Sequence, residues 1–338
     1  MFTDPTGGDN STTPASSSIL FGPYGLRAGW GLLLAAVFFF ILYAALSSLL
    51  HHSHLIGSHL AHTAPDPHQV LLVELVGLLA IAVTTWIMAL IEKRSIGLFG
   101  LGGSDKLKHL ISGLVAGLVA ITLLVLVLLK AGLLIIDQHL LAGATAFRYA
   151  LLWIPGFLAI GFFEEYLFRG YLQYTLARSV AALARSLSVN LNANAVGFWA
   201  AAVLVSFGFG AVHGSNPGES PFGLVCAGFA SLLFCFSLWR TGSLWWAIGM
   251  HAAWDYGQSF LFGVADSGTM IGHRLLATHP VGAPLFSGGA TGPEGSILCL
   301  PVLLLLAVVV HFTQPAGEKG YSAHMPVPKP TNEDTAAP

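Results

Sequence analysis

The sequence predicts an all-α fold, a polytopic membrane bundle of about eight transmembrane helices, and three observations carry that expectation. Of the 338 residues, 55% are hydrophobic and only 9% are charged, against roughly 25% charged in a soluble domain. The mean hydropathy is +0.74, so water could not be met by a charged surface, whereas lipid-facing side chains should be apolar. The apolar residues fall in runs near the length of about 20 that a spanning helix needs.

The runs are Leu26–Leu50, Val70–Ile91, Leu110–Leu129, Ala150–Gln173, Phe198–His213, Phe222–Leu238, Leu244–Phe262 and Ile297–Phe312. Polar, Gly- or Pro-containing segments bound each one, and the fifth and sixth are short. Before the first run, Met1–Ser18 is rich in Gly, Ser, Thr and Pro and carries acidic rather than basic charge. That is unlike a signal-peptide n-region, so residues 1–25 are expected to be a disordered tail. The Pro-rich stretch 314–338 is expected to be another, which leaves 26–313 as the membrane-embedded part.

Lys and Arg placement orients the bundle. With both termini inside, the inner set is Arg27, Lys93, Arg94, Lys106, Lys108, Arg169, Arg178, Arg185, Arg240, Lys319 and Lys329. The outer set is Lys130, Arg148 and Arg274. Both termini are therefore expected in the cytoplasm, which an even number of spans allows. The loop from His51 to His68 holds six histidines and no Lys or Arg. It reads as a polar, pH-sensitive outer loop, with metal scavenging as the sharper alternative, although its irregular spacing defines no ligand set. Cys226, Cys235 and Cys299 lie in apolar runs without a C-x-x-C pair, as buried thiols do. A net charge of −2 excludes an electrostatic footprint for nucleic acid.

Ionisable residues inside spans are costly and each needs a reason. Three clusters stand out. In the fourth run, Glu164 and Glu165 project about 100° apart on a helix, so they take separate roles. Arg169, four residues after Glu165, shares its face and is expected to neutralise it. Glu164 remains as a free carboxylate suited to act as a base. The alternative for this motif is an interfacial charge cluster. In the fifth run, Phe207-Gly-Phe-Gly-Ala-Val-His213 ends in a histidine, and its glycines permit close approach; a lone histidine at a helix end is otherwise structural. In the seventh run, His251 and Asp255 are one turn apart on one face, where the Asp can orient the imidazole, both can bind one metal, or the two can simply pack together.

Together these motifs, Glu164-Glu165-x-x-x-Arg169, Phe209-x-x-x-His213 and His251-x-x-x-Asp255, resemble the CPBP family of CAAX prenyl endopeptidases and bacteriocin-linked bacterial relatives. Arg240-Thr-Gly-Ser-Leu-Trp, before the third motif, is similar to the family as well, and the resemblance covers about 153–262. It implies a helical membrane peptidase with a cytosol-facing cavity, in a bacterial inner or plasma membrane. It further implies that Glu164 and His213 activate water, that His251 and the residue at 255 stabilise the oxyanion, and that Glu165 and Arg169 hold the motif together. The expected partners are membrane lipids and a lipidated, CAAX-like or membrane-embedded peptide. The prenyl-protein endopeptidases carry Asn where this chain has Asp255; an ionised carboxylate would repel an oxyanion, so Asp255 must be protonated, orient His251 or bind metal. The chemistry permits a glutamate peptidase without metal and equally a metalloprotease in which Glu164, His213, His251 and Asp255 hold a divalent ion such as zinc.

Two other functions use the same residues. Intramembrane carboxylates and histidines also mark ion or metal paths, against which the first three spans look nearly free of polar groups. A non-catalytic immunity or scaffold protein could use the same fold. The peptidase reading raises a question of depth: with the fourth helix running inward and the fifth outward, His213 falls near the outer end and Glu164 nearer the middle. A shared site then requires the fifth helix to tilt, or to continue past His213 as broken backbone facing a cavity.

Overall fold

The computed structural model describes residues 19–22, 25–53, 55, 64–188 and 191–314. The expected tails, apart from a few residues at their inner ends, lie outside the described residues, as do His54, His59 and His62 of the histidine-rich loop. Two short strands, β1 (Phe21–Gly22) and β2 (Gly25–Leu26), pair ahead of helix α1 (Ala28–His52). Then come α2 (Pro67–Glu92), α3 (Lys106–Lys130), β3 (Leu134–His139), α4 (Gly143–Glu165), α5 (Gln173–Ser186), α6 (Ala193–His213), α7 (Pro221–Thr241) and α8 (Trp245–Asp255). Strand β4 (Leu276–Pro280), the single turn α9 (Pro284–Ser287) and α10 (Cys299–Thr313) complete the order. β3 and β4 form an antiparallel pair with a bulge near Asp137.

Local chemistry sets the helix ends. Asp66 caps α2, accepting from the backbone N–H groups of His68 and Gln69, while the Gln69 side chain accepts from the Asp66 N–H in return. Pro67 and Pro221 open α2 and α7 at the position where no backbone donor is needed. Asn192 and Ser220 cap α6 and α7 through their side-chain oxygens.

Six helices, not eight, are long and apolar enough to cross a membrane among the described residues. The seventh and eighth expected spans exist as shorter helices: α8 has 11 residues and α10 has 15. The fourth span was expected to stop at Gln173. Instead α4 runs through a segment with more residues per turn, Tyr166–Leu172, on into α5, making one helical stretch of 44 residues, Gly143–Ser186, bent where Gly170 leaves helical geometry. At 1.5 Å per residue this stretch is roughly 66 Å long, about twice the bilayer's hydrocarbon core.

That continuation resolves the question of depth. α6 returns antiparallel along α5, with Gly197 against the Ala177 carbonyl and Ala181, and Phe209 ring-to-ring with Phe168 at 5.2 Å. Climbing on at the same register, α6 ends with His213 level with Glu164. The fifth helix needs neither a special tilt nor a broken extension.

α8 is wedged between α3 and α4 by glycines. A Cβ at Gly113 or Gly117 of α3 would collide with the Trp246 or Met250 carbonyl, and one at Gly249 of α8 would collide with the Leu110 carbonyl. Backbones meet there without intervening side chains, as in small-residue packing within membranes. The outward faces stay apolar: Phe207, Leu304 and Phe40 are among the most exposed large side chains. Gly249→Leu should therefore lower the melting temperature of detergent-purified protein, at a cost of about 1–3 kcal/mol. Gly29→Ala, whose new Cβ meets nothing within 4 Å, should be neutral or gain up to ~1 kcal/mol. Equal melting temperatures for the two variants would contradict the wedge.

Candidate active site

The centre of the site is a buried ion pair. Arg169, one turn past the end of α4, sits 3.1 Å from Glu165 Oε1, and both side chains are fully buried. The guanidinium also lies over the rings of Phe209 at 4.3 Å and Phe234 at 5.3 Å, which offer their negative faces to its charge. The expected neutralisation of Glu165 by Arg169 is thus present. The same Glu165 oxygen stands 2.9 Å from His251 Nδ1, a contact between α4 and α8 that sequence spacing did not suggest.

Glu165 fixes the imidazole from one side, because a carboxylate accepts and Nδ1 must donate. His251 Nε2 then faces the other way, 3.8 Å from Glu164 Oε2 and 3.5 Å from Asp255 Oδ2. The ring stacks on Phe234 at 5.2 Å. At the top of α6, His213 Nδ1 lies 2.7 Å from the Phe209 carbonyl, which can only accept. Its Nε2 is therefore the lone-pair nitrogen of the neutral ring, and it points to Glu164 Oε2 at 4.0 Å. Glu164 Oε2 itself is enclosed and accepts no hydrogen bond among the described residues. The structure thus brings together all six residues singled out by sequence: Glu164, Glu165, Arg169, His213, His251 and Asp255.

Glu164, His213, His251 and Asp255 border a cavity of about 270 Å³. Trp153, Phe157, Phe209, Phe234 and Trp254 supply much of its apolar wall. Three further carboxylates line it that the sequence reading passed over: Glu74 of α2, and Asp266 and Glu294 from the 263–298 segment between α8 and α10. Glu74 corrects the view that the first three spans are almost free of polar groups; its signal was an acid near the start of the run Val70–Ile91. The 263–298 segment is fastened over the cavity. Asn216 donates to the Ser267 carbonyl at 2.9 Å, Thr291 to Glu219 at 3.0 Å, and Gly272 N–H to the Pro65 carbonyl at 2.9 Å. Ser267 donates to Glu294 through both its backbone N–H and its hydroxyl, and Ser259 to Asp266 at 3.0 Å. Burial, and then the nearby Asp255 and Glu294, push the Asp266 carboxyl well above its usual range. Burial raises Glu294 too, against the lowering effect of the Ser267 backbone hydrogen bond.

The donor set of Glu164, His213, His251 and Asp255 suits a divalent ion chemically, but its spacing does not. Tetrahedral ligands at 2.0–2.2 Å from zinc lie about 3.4 Å apart. Glu164 Oε2 stands 3.8 and 4.0 Å from the two imidazoles. Among the described residues, no group of three or more His, Cys, Asp or Glu is arranged to hold a metal ion. Cys226, Cys235 and Cys299 are free and buried, as expected of small apolar side chains.

Removing one partner of the central ion pair strands the other in low dielectric. Arg169→Met should cost about 3–5 kcal/mol and cut the yield of folded protein. The double change Glu165→Gln with Arg169→Met should recover part of that loss, measured as melting temperature in detergent. A single variant as stable as the parent would show that the pair is not a strut of the fold.

Residues 146–257 match the family model described as Type II CAAX prenyl endopeptidase Rce1-like, and the match encloses all six site residues. It spans about a third of the chain and agrees with the 153–262 expected from the motifs. No curated protein and no solved structure matches the chain. The six apolar helices point to an integral membrane protein, and over residues 146–257 the chain is similar to the CAAX-type membrane endopeptidases.

Proposed function

We propose that the chain is a glutamate-type intramembrane endopeptidase that hydrolyses a peptide bond in a membrane-associated protein or peptide, with Glu164 as the base. The observation that carries this reading is Glu164 Oε2. It is an enclosed carboxylate oxygen without a hydrogen-bond donor among the described residues, flanked at 4.0 and 3.8 Å by two imidazole Nε2 atoms. At those separations the carboxylate and an imidazole can share one water seated beside the line that joins them.

In this reading, a water seated at Glu164 Oε2 gives up a proton to the carboxylate as its oxygen bonds to the substrate carbonyl carbon. His213 Nε2 accepts the water's second hydrogen bond and turns a lone pair toward that carbon. His251 Nε2 carries a proton and donates it as a hydrogen bond to the carbonyl oxygen while negative charge gathers there. Glu165 gives the Nδ1–H an acceptor, and Asp255, 3.5 Å from Nε2, balances the charge of the imidazole. Asp255 therefore serves through His251 rather than touching the oxyanion, which accommodates a carboxylate at this position in place of an amide. When the carbon–nitrogen bond breaks, Glu164 passes its proton to the departing amine, so one water is consumed and an acid and an amine are released.

The orientation with both termini in the cytoplasm belongs to the same proposal and opens the site toward a cytosolic substrate. A prenylated CAAX peptide is the first candidate that the family suggests.

The test is cleavage of a peptide panel, including prenylated CAAX peptides, by detergent-purified protein. Glu164→Gln should lower kcat by about 10²–10⁴-fold without lowering the melting temperature. Asp255→Asn should remain within about tenfold of the parent, as expected of a group that acts through another. A chelator should leave the rate unchanged. Full activity in Glu164→Gln would remove Glu164 from the mechanism, and loss of activity on chelation with recovery on adding zinc would replace the direct-base reading by a metal-dependent one.

A further inference from the structure

Among the described residues, the cavity wall holds two enclosed side-chain polar atoms that make no hydrogen bond. One is Glu164 Oε2, an acceptor. The other is the indole Nε1 of Trp153, a donor that the hydrolytic scheme leaves unused. Trp153 is 0% exposed, and a buried indole N–H usually has an acceptor. Trp254, in the same wall, shows the usual case: its Nε1 donates to the Gln258 side chain at 3.0 Å.

Apolar neighbours hold the Trp153 ring where it is. It packs with Phe157, Phe260 and Ile271, with the Phe157 ring 5.3 Å away. None of these side chains offers an acceptor. A buried donor left without a partner is costly, so the site favours whatever brings an acceptor into the cavity.

One helix fixes the position of this donor relative to the base. Trp153, Phe157, Ile160 and Glu164 all belong to α4 and all line the cavity. Their spacing of four, three and four residues is the repeat of a single helix face. At 1.5 Å per residue, Trp153 and Glu164 stand roughly 16 Å apart along the axis, with Phe157 and Ile160 between them on that face. An extended peptide rises about 3.3 Å per residue, so it covers this distance in about five residues. Its carbonyls are neutral acceptors, which suits an uncharged donor.

We infer that Trp153 binds the substrate: its indole N–H donates to a main-chain carbonyl about five residues from the cleaved bond. The inference rests on the peptidase reading, because Glu164 marks where the cleaved bond lies. The indole reads no side chain. It selects for a chain that stays extended over that distance on one side of the bond, rather than for a particular sequence.

Binding can be read without cleavage. The full chain is purified in detergent and titrated with two dansyl-labelled apolar peptides, capped at both ends. In each, a hydroxyethylene group replaces one amide and mimics the water-added bond. The long peptide extends six residues on either side of that group. The short one extends two, which span only about 7 Å. Trp153→Phe, which keeps a ring and deletes the donor, should weaken the long peptide about three- to tenfold and leave the short one unchanged. Should that variant fail to fold, an analogue with sulfur in place of the indole nitrogen, incorporated at position 153, keeps the shape and removes the donor. The same selective loss is expected of it. An unchanged affinity for the long peptide, an equal loss for both peptides as a purely structural role would give, or no binding of the long peptide would overturn the inference. Failure of the peptidase reading has a different signature: Glu164→Gln would then leave both affinities as they are.

Discussion

The Glu165–Arg169 ion pair is the constraint around which the rest of the site is arranged. Both side chains are fully buried, and two charges taken out of water need close, well-formed contacts to remain there. Glu165 meets that need with Arg169 on one side and His251 on the other, through a single carboxylate oxygen. Arg169 meets it with that oxygen and with two aromatic faces. Phe234 lies against both Arg169 and His251, and Phe209 against both Arg169 and His213. The two rings thus transmit the position of one cation to both imidazoles.

Backbone features that look unrelated follow from this arrangement. Arg169 must lie beside Glu165 while the chain continues into α5, and the wider turns of Tyr166–Leu172 allow the change of direction; such segments recur at functional sites because they re-aim side chains within a helix. A second segment of the same kind, Tyr256–Leu261, follows Asp255 directly and carries Gln258 and Ser259, of which Ser259 supports Asp266. His251 can reach Glu165 only if α8 lies unusually near α4. Gly161, whose missing side chain leaves space for the Ile248 carbonyl and Ala252, permits that approach. On the opposite side the glycines of α3 hold α8 in place. The residues of the candidate site therefore stand on helices whose mutual distances are set by backbone contact, which is stiffer than contact through long side chains.

What could be read from the sequence was whatever is local. Glu165–Arg169 and His251–Asp255 are each one helical turn apart, so their shared faces follow from helix geometry alone, and both pairs are present. The chemistry of His213 depended on what stood opposite it, and that came from the family resemblance rather than from its own surroundings. The Glu165–His251 contact joins residues 86 positions apart, and no periodicity encodes it. The fourth helix was ended too early for a related reason. Hydropathy sees apolar runs, so it lost α5, which is amphipathic and carries the buried Arg178. Arg178 was weighed as an inner-surface charge, whereas it pairs with Glu92 at 3.2 Å, as Arg94 does at 3.0 Å. Without α5, Glu164 and His213 appeared to lie at different depths. Asp266 and Glu294 were invisible because they sit in irregular chain between helices, where neither period nor run length gives a signal.

The division between those two groups of residues has a physical logic. Water activation needs donors and acceptors fixed to within fractions of an ångström, and the groups that would perform it occupy rigid helices inside the family-matched stretch. Choosing a substrate needs charge and shape over a wider area, with looser tolerance. The groups suited to that task, Glu74 below and Asp266 and Glu294 above, come from segments outside the match. The 263–298 segment is fastened to the turn after α6, the start of α7, the start of α2, strand β3 and the helical continuation of α8. A scaffold built in this way can keep one hydrolytic centre while the charge around it is set elsewhere in the chain.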